Sequence, residues 1–223
     1  MDINASAIIV AAGSGERMGF DKVFYKLLGK EVILYSLEAM EKNPRIDEII
    51  LVVAESNLKK AEELCRGRFS KLYRIVEGGS SRTASVLNGI NAARGKYIAI
   101  HDGARPLISQ KIITNCIDDV EKYDAVTVSL PITDTIKSFK GEFTHKSLDR
   151  ENMVSVQTPQ CFNKEMYLSC VEKLKGKSFT DDCALFEKCG IPVKLIKGEE
   201  KNIKLTRRAD IIMARALLEG EEI

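Results

Sequence analysis

Histidine is nearly missing from this chain: His101 and His145 are the only two in 223 residues. No Ser-His-Asp or Cys-His set can be assembled from them, which argues against a mechanism built on a strong general base. The six cysteines (Cys65, Cys116, Cys161, Cys170, Cys183 and Cys189) are scattered and form no C-x-x-C pair, so metal and redox spacings are absent. They read as reduced thiols packed as small hydrophobes. No apolar run is long enough to span a bilayer. The stretch Met1 to Ser6 has neither the basic residues nor the apolar core of a signal peptide. A cytoplasmic location without a membrane partner is the expectation. Charge of either sign is also not in excess: 34 Lys and Arg meet 32 Asp and Glu, for a formal net charge of +2. With no basic run, nucleic acid is not an expected partner.

Two phosphate-binding signatures are missing as well. No G-x-x-x-x-G-K-[ST] run occurs. A G-x-G-x-x-G fingerprint fails because Met18 occupies the third glycine position and Gly19 comes one residue late. Glu55, at the end of a later strand pattern, lies far beyond the offset of about 20 residues expected of a ribose-binding acid. A nicotinamide-dependent dehydrogenase would therefore rest on fold analogy alone.

What is present is an alternation of β-branched runs and helical patterns. Ala7 to Ala11, Glu48 to Val53, Leu72 to Val76, Tyr97 to Ile100 and Ala125 to Val128 read as buried strands. Helices are expected over Glu31 to Lys42, from a cap at Ser56 through Cys65, about Arg82 to Ala93, and Ile112 to Tyr123. This pattern predicts an α/β fold: one Rossmann-like domain over 1–223, its mostly parallel central sheet covered by helices. After Pro131 the rhythm breaks. Asp134 to Phe139 and Phe143 to Leu148 flank Lys140-Gly141 and are too polar for a core, so a protruding β-hairpin arm is expected at about 132–152. Beyond it, Val154 to Thr158 is expected to be extended. Helices follow near Lys164 to Leu174 and Asp181 to Lys188, then a strand at Val193 to Ile196 and a last helix from about Arg208 to Leu218.

Polar loops gather where such sheets bind ligands, beyond the carboxyl ends of the strands. The first is Ala11-Ala12-Gly13-Ser14-Gly15-Glu16-Arg17-Met18-Gly19, with Lys22 behind it. Glycines let backbone N–H groups approach an anion closely. A plain turn would account for Gly13 and Gly15, but not for two cations beside them. Arg17 and Lys22 suit a triphosphate and the charge that develops as it reacts. A second loop, His101-Asp102-Gly103-Ala104-Arg105-Pro106, offers an aspartate able to hold Mg²⁺ or another divalent cation against phosphates. It also offers an arginine for bidentate phosphate contact. His101 reads as a structural histidine. Without a strong base, the chemistry suits a nucleophile that is already an anion, such as one phosphate attacking another. Arg82, Ser85, Arg150, Thr180-Asp181-Asp182 and Asn202 to Thr206 are further loop cations and hydroxyls. Singly each reads as surface, and Thr180 to Asp182 also reads as a helix N-cap.

These segments, in order, resemble the 2-C-methyl-D-erythritol 4-phosphate cytidylyltransferase family over nearly the whole length. The shared pieces are A-A-G-x-G-x-R-M at Ala11 to Met18 with Lys22, G-G-x-x-R-x-x-S-V at Gly78 to Val86, and H-D-G-A-R-P at His101 to Pro106. D-T at Asp134-Thr135, D-R at Asp149-Arg150, T-P-Q at Thr158 to Gln160, T-D-D at Thr180 to Asp182 and N-I-K-x-T at Asn202 to Thr206 complete the set. The resemblance implies transfer of CMP from CTP to a polyol phosphate, with Mg²⁺. It implies that Arg17 and Lys22 stabilise the α-phosphate in the transition state. Ala11, Ala12, Gly13, Gly15, Gly79, Ser80, Arg82, Ser85, Asp102 and Gly103 would surround the nucleotide, with Asp102 as metal ligand. Arg105, Thr135, Arg150, Thr180 and Lys204 would position the acceptor. It further implies a homodimer in which the arm crosses a two-fold axis and brings Thr135 and Arg150 to the partner's site.

The chain departs from the family's pattern in places. Asp21-Lys22-Val23 stands where Pro-Lys-Gln is usual, Gly103 where alanine is common, and Arg208 where proline is frequent. Ribitol 5-phosphate cytidylyltransferases share the fold and most motifs, but tend to have valine at the position of Ala104 and T-D-A where this chain has T-D-D. Those two positions favour the methylerythritol enzymes. A nucleotide-binding module without turnover has less need of Arg17 and Lys22.

Overall fold

The structure is a computed structural model that describes residues 3–13, 21–175, 177, 179 and 181–220. Its centre is a seven-stranded sheet. Strands β1 (Ala5–Ala11), β4 (Glu48–Val53) and β6 (Tyr97–Asp102) are buried almost throughout and mostly apolar, their polar residues being Ser6, Glu48, His101 and Asp102. That is the composition required of strands covered on both faces. Two short strands, β2 (Lys26–Leu27) and β3 (Lys30–Glu31), pair with each other between β1 and β4. Strand β5 (Leu72–Glu77) is the half-exposed edge. Strands β7 (Ala125–Pro131), β10 (Val154–Asn163) and β11 (Lys194–Lys197) complete the sheet in the order β11-β7-β10-β6-β1-β4-β5. All neighbours are parallel except β10, which runs antiparallel to both β6 and β7.

Alternating side chains of β1 divide the core. Ala5, Ala7 and Ile9 pack beneath α1 (Val32–Lys42), α2 (Leu58–Cys65) and α4 (Gln110–Tyr123). Ile8 faces the layer made by α3 (Arg82–Ala92), α5 (Lys164–Lys173) and α6 (Cys183–Lys188). In that layer Phe162 stacks on Phe186 at 4.5 Å between ring centroids. The last helix, α7 (Arg208–Glu219), sets Ala214 against Leu27, Val32 and Leu205. Helix starts follow local chemistry. Ser81 accepts from the Ala84 N–H at 3.1 Å to cap α3, and Ser109 accepts from the Ile112 N–H to cap α4. Five of the six cysteines are buried and all are free thiols.

The arm appears as a separate hairpin of β8 (Lys137–Lys140) and β9 (Phe143–Ser147), almost wholly exposed, between β7 and β10. Two elements differ from expectation. Ser56 caps no helix: it lies inside a 3₁₀ turn, Glu55–Asn57, and α2 starts at Leu58 without a side-chain cap. The extended stretch from Val154 does not end at Thr158 but continues to Asn163. Gln157, Thr158 and Gln160 resemble a loop in sequence, yet all three are buried. The β7 pairing shifts register across this stretch, where the strand passes the ligand end of the sheet.

One buried carboxylate lies far from that end. Glu48, at the start of β4, accepts from Ser6 Oγ at 2.6 Å and from Arg94 Nε at 2.7 Å, and also from the Arg94 N–H. Burial alone would raise its pKa, but the bonds from Ser6 and Arg94 outweigh burial and hold the carboxyl below the ordinary glutamate value. A depressed carboxylate pKa gives stability that is present above the unfolded value and lost as pH falls through the folded one. Glu48→Gln is expected to cost about 2 kcal/mol at neutral pH and to flatten the acid limb of stability. Urea unfolding of both proteins across acidic pH checks this; parallel acid limbs would contradict it.

Candidate active site

The chain runs from β1 through β4 to β5 on one side, then returns to place β6 on the other side of β1. This reversal is the switch point at which α/β sheets open a ligand crevice. A cavity of about 400 Å³ opens there. Its floor includes Ala11, Ala12 and Gly13 from the end of β1, and its sides carry Gly79, Ser80, Arg82 and Ser85 from the β5–α3 turn. Lys22, Asp102 and Lys204 face the same space. Ten of the residues singled out in the sequence are therefore brought together. Gly15, Arg17 and Thr180 lie outside the described residues.

The β5–α3 turn is built for close approach. A Cβ on Gly79 would sit 2.4 Å from the Ala84 Cβ. Ser85 Oγ accepts from the Gly79 N–H at 3.0 Å and donates to the Ser81 carbonyl at 2.9 Å, pinning the turn onto α3. Arg82 is then held by Asp182, its Nη1 lying 2.7 Å from Asp182 Oδ2. Asp182 is 3% exposed; its backbone N–H donates to Gln160 Oε1, and Tyr167 Oη donates to its Oδ1 at 2.8 Å. Burial raises the Asp182 pKa, against the pull of Arg82 and the Tyr167 bond. The expectation of a helix cap at T-D-D is met by the other acid: Asp181 Oδ1 accepts from the Ala184 N–H, while Asp182 makes no side-chain cap. Sequence reasoning missed Asp182 and Tyr167 as supports of Arg82. Two adjacent acids carry no signal of which one turns inward.

Asp102 is the negative centre of the cavity. Its Oδ2 is 2.7 Å from Lys204 Nζ and 3.7 Å from Arg105 Nε. Burial would raise its pKa, yet Lys204, Arg82 and Arg105 together hold the carboxyl below the ordinary aspartate value. It is thus an anion at neutral pH. No group of three His, Cys, Asp or Glu that could cage a metal occurs among the described residues. A single ionised carboxylate in a pocket suits Mg²⁺, which keeps waters and takes phosphate oxygens as its other ligands.

Behind Asp102 stands a polar lattice. Thr158 Oγ1 accepts from the Asp102 N–H at 3.1 Å, so its own proton goes to His101 Nδ1 at 3.0 Å. His101 Nε2 then donates to the Arg105 carbonyl at 3.2 Å. The ring is fully buried, and burial pushes its pKa down to about 4, so it is neutral, its two nitrogens bonded within the protein. Arg105 differs from expectation. Instead of facing a phosphate it is 9% exposed, and its Nη1 donates to the Asn202 carbonyl at 2.7 Å. Asn202 Nδ2 donates to the Thr158 carbonyl at 2.9 Å, and the Leu205 N–H to the Ala104 carbonyl. These bonds carry Lys204 to Asp102. Gly103 also lies behind the cavity rather than on its wall: a Cβ there would meet Ile33 Cδ1 at 2.6 Å. Thr135 and Arg150 sit on the exposed arm and do not line this cavity. Arg150 donates from Nη1 to the Thr133 carbonyl.

The departure around Lys22 acquires a physical account. Val23 is 4% exposed, packed in the core where glutamine would be buried. Asp21 is hydrogen-bonded within the protein rather than turned to the cavity.

Comparison with known proteins agrees with this geometry. The family model described as 2-C-methyl-D-erythritol 4-phosphate cytidylyltransferase matches residues 5–220. A protein of that name from Dehalococcoides mccartyi is 41% identical over 216 residues, covering 95% of each chain. Another from Clostridium acetobutylicum is 41% identical over 227 residues, covering 97% of this chain and 98% of its own. Among solved structures, the 4-diphosphocytidyl-2C-methyl-D-erythritol synthase of Anaerococcus prevotii superposes with a TM-score of 0.86 at 31% identity, covering 98% of this chain and 97% of that one.

Proposed function

This chain belongs to the 2-C-methyl-D-erythritol 4-phosphate cytidylyltransferase family, and from that premise we propose that it transfers CMP from CTP to the phosphate of 2-C-methyl-D-erythritol 4-phosphate. The observation that carries this reading is the convergence of Lys22, Arg82, Asp102 and Lys204 on one cavity beside the first strand's loop. In the reaction an oxygen of the acceptor phosphate attacks the α-phosphorus of CTP. The bond from that phosphorus to the oxygen bridging to the β-phosphate breaks, and pyrophosphate leaves with the electron pair. The nucleophile is already an anion, so no general base is needed, in keeping with the neutral, buried His101.

Each residue then has a task. Arg17 and Lys22 meet the negative charge that accumulates on the α-phosphate oxygens. The Gly79-Ser80 turn and Ser85 shape the nucleoside pocket, with Arg82 at its rim. Asp102 would hold Mg²⁺, which when bound screens the triphosphate charge. Lys204 lies on Asp102, where an acceptor phosphate arriving beside the nucleotide meets it. Arg105 holds the Asp102 and Asn202 backbones in register. Thr135, Arg150 and Thr180 receive the acceptor, the first two from the arm of a second copy in a homodimer.

Purified protein with CTP, Mg²⁺ and the methylerythritol substrate should release pyrophosphate, faster than with ribitol 5-phosphate at equal concentration. Preference for ribitol phosphate would replace the acceptor; nucleotide binding without turnover on either would leave a binding module. Arg150→Ala is expected to raise the acceptor KM about tenfold or more with the CTP KM nearly unchanged, consistent with loss of a charged hydrogen bond to one substrate. Equal shifts in both constants would remove Arg150 from the acceptor site.

A further inference from the structure

Asp21 is an acidic side chain immediately before the lysine that faces the proposed triphosphate. An aspartate there adds no attraction for a triphosphate, so its use lies in what its carboxylate holds. Its two carboxylate oxygens are engaged. Oδ1 accepts from the Val23 N–H at 3.3 Å, closing a turn over the Lys22 backbone. Oδ2 accepts from Asn57 Nδ2 at 2.6 Å. Asn57 ends the 3₁₀ turn Glu55–Asn57 that directly follows β4, so the bond ties the Lys22 segment to the end of a central strand. On the other side of Lys22, Val23 is fixed by burial and by the Ile33 N–H donating to its carbonyl at 2.9 Å. Neither Asp21 nor Asn57 lines the cavity, whereas Lys22 does.

We propose that Asp21, tied to Asn57, is a positioning residue for the reaction, holding the Lys22 backbone so that its ammonium meets the α-phosphate. The inference rests on the cytidylyl-transfer reading. It makes Asp21 useful through geometry, not through its charge, and this separates it from a merely electrostatic neighbour. A small displacement of a group acting on a transition state costs rate more than ground-state affinity.

The test is steady-state kinetics of pyrophosphate release with CTP, Mg²⁺ and the acceptor, alongside thermal unfolding. Asp21→Ala is expected to lower kcat about tenfold or more, with the CTP KM within about threefold. Asp21→Asn keeps an acceptor for Val23 and should retain most of the rate. Asn57→Ala removes only one anchor and should give a smaller loss of kcat in the same direction; it carries the test if Asp21→Ala does not fold. In a Lys22→Ala background, Asp21→Ala should cost nothing further, because its effect passes through that lysine. Additive losses in the double variant would overturn the proposal, as would equal effects of Asp21→Ala and Asp21→Asn. A wild-type protein without turnover would defeat the cytidylyl-transfer reading itself. An active wild type matched in kcat by Asp21→Ala would defeat only the role of Asp21.

Discussion

Lys22→Ala is expected to lower kcat about a hundredfold or more, with CTP affinity reduced only a few-fold. In a water-excluded site, one preorganised donor aimed at developing charge is worth on the order of a hundred- to a thousandfold in rate. The ground-state triphosphate has other partners in the same cavity, so binding suffers less. Lys22 belongs to a segment anchored on both flanks, by the Asp21 bonds and by buried Val23; the substitution should therefore leave the fold intact. Single-turnover measurement of pyrophosphate release at saturating CTP, with CTP binding measured separately, checks the split. A loss confined to binding would mean that Lys22 holds the nucleotide without acting on its transition state, as in a binding module.

Arg82→Ala should produce the largest combined effect, on stability and on CTP binding together. Asp182 is 3% exposed and Arg82 is its only ion-pair partner among the described residues. Removing one partner of a buried pair costs about 3 kcal/mol or more, because the remaining charge has no solvent to turn to. For a chain of this size that is a fall in Tm of roughly 6–12 °C. The raised pKa of Asp182 limits the damage, since burial already favours its neutral form. Arg82→Ala combined with Asp182→Asn is accordingly expected to be more stable than Arg82→Ala alone, yet to bind CTP no better. Scanning calorimetry of the three proteins decides. An Arg82→Ala variant that melts with the wild type would show that the Tyr167 and Gln160 bonds suffice to hold Asp182.

Much of the scaffold is legible in the sequence. The runs Ile49 to Val53 and Tyr97 to Ile100 are continuously apolar, and such runs have few alternatives to a buried strand. Helix α3 begins at Arg82 as expected because Ser81 supplies a local cap. The arm was legible from the polarity of both its strands. Strand β10 was half missed, because Gln157, Thr158 and Gln160 are polar and only their neighbours make them core. Gln160 Nε2 reaches Thr127 Oγ1 and Asp181 Oδ2, while Thr158 Oγ1 serves both Asp102 and His101. No property of a Thr-Pro-Gln run announces those partners.

The sequence by itself determined the layering of helices on a mostly parallel sheet, the placing of glycines and cations just after the first strand, and the family. Periodicity, capping and motif order are properties of neighbouring residues, so they survive without a third dimension. Only the tertiary structure decided which charges meet. It turned Asp182, not Asp181, toward Arg82, drew Arg105 behind the cavity to hold Asn202, and set Lys204 on Asp102. These choices depend on which face of a loop is desolvated, and therefore on the strand order that brings distant segments to one crevice.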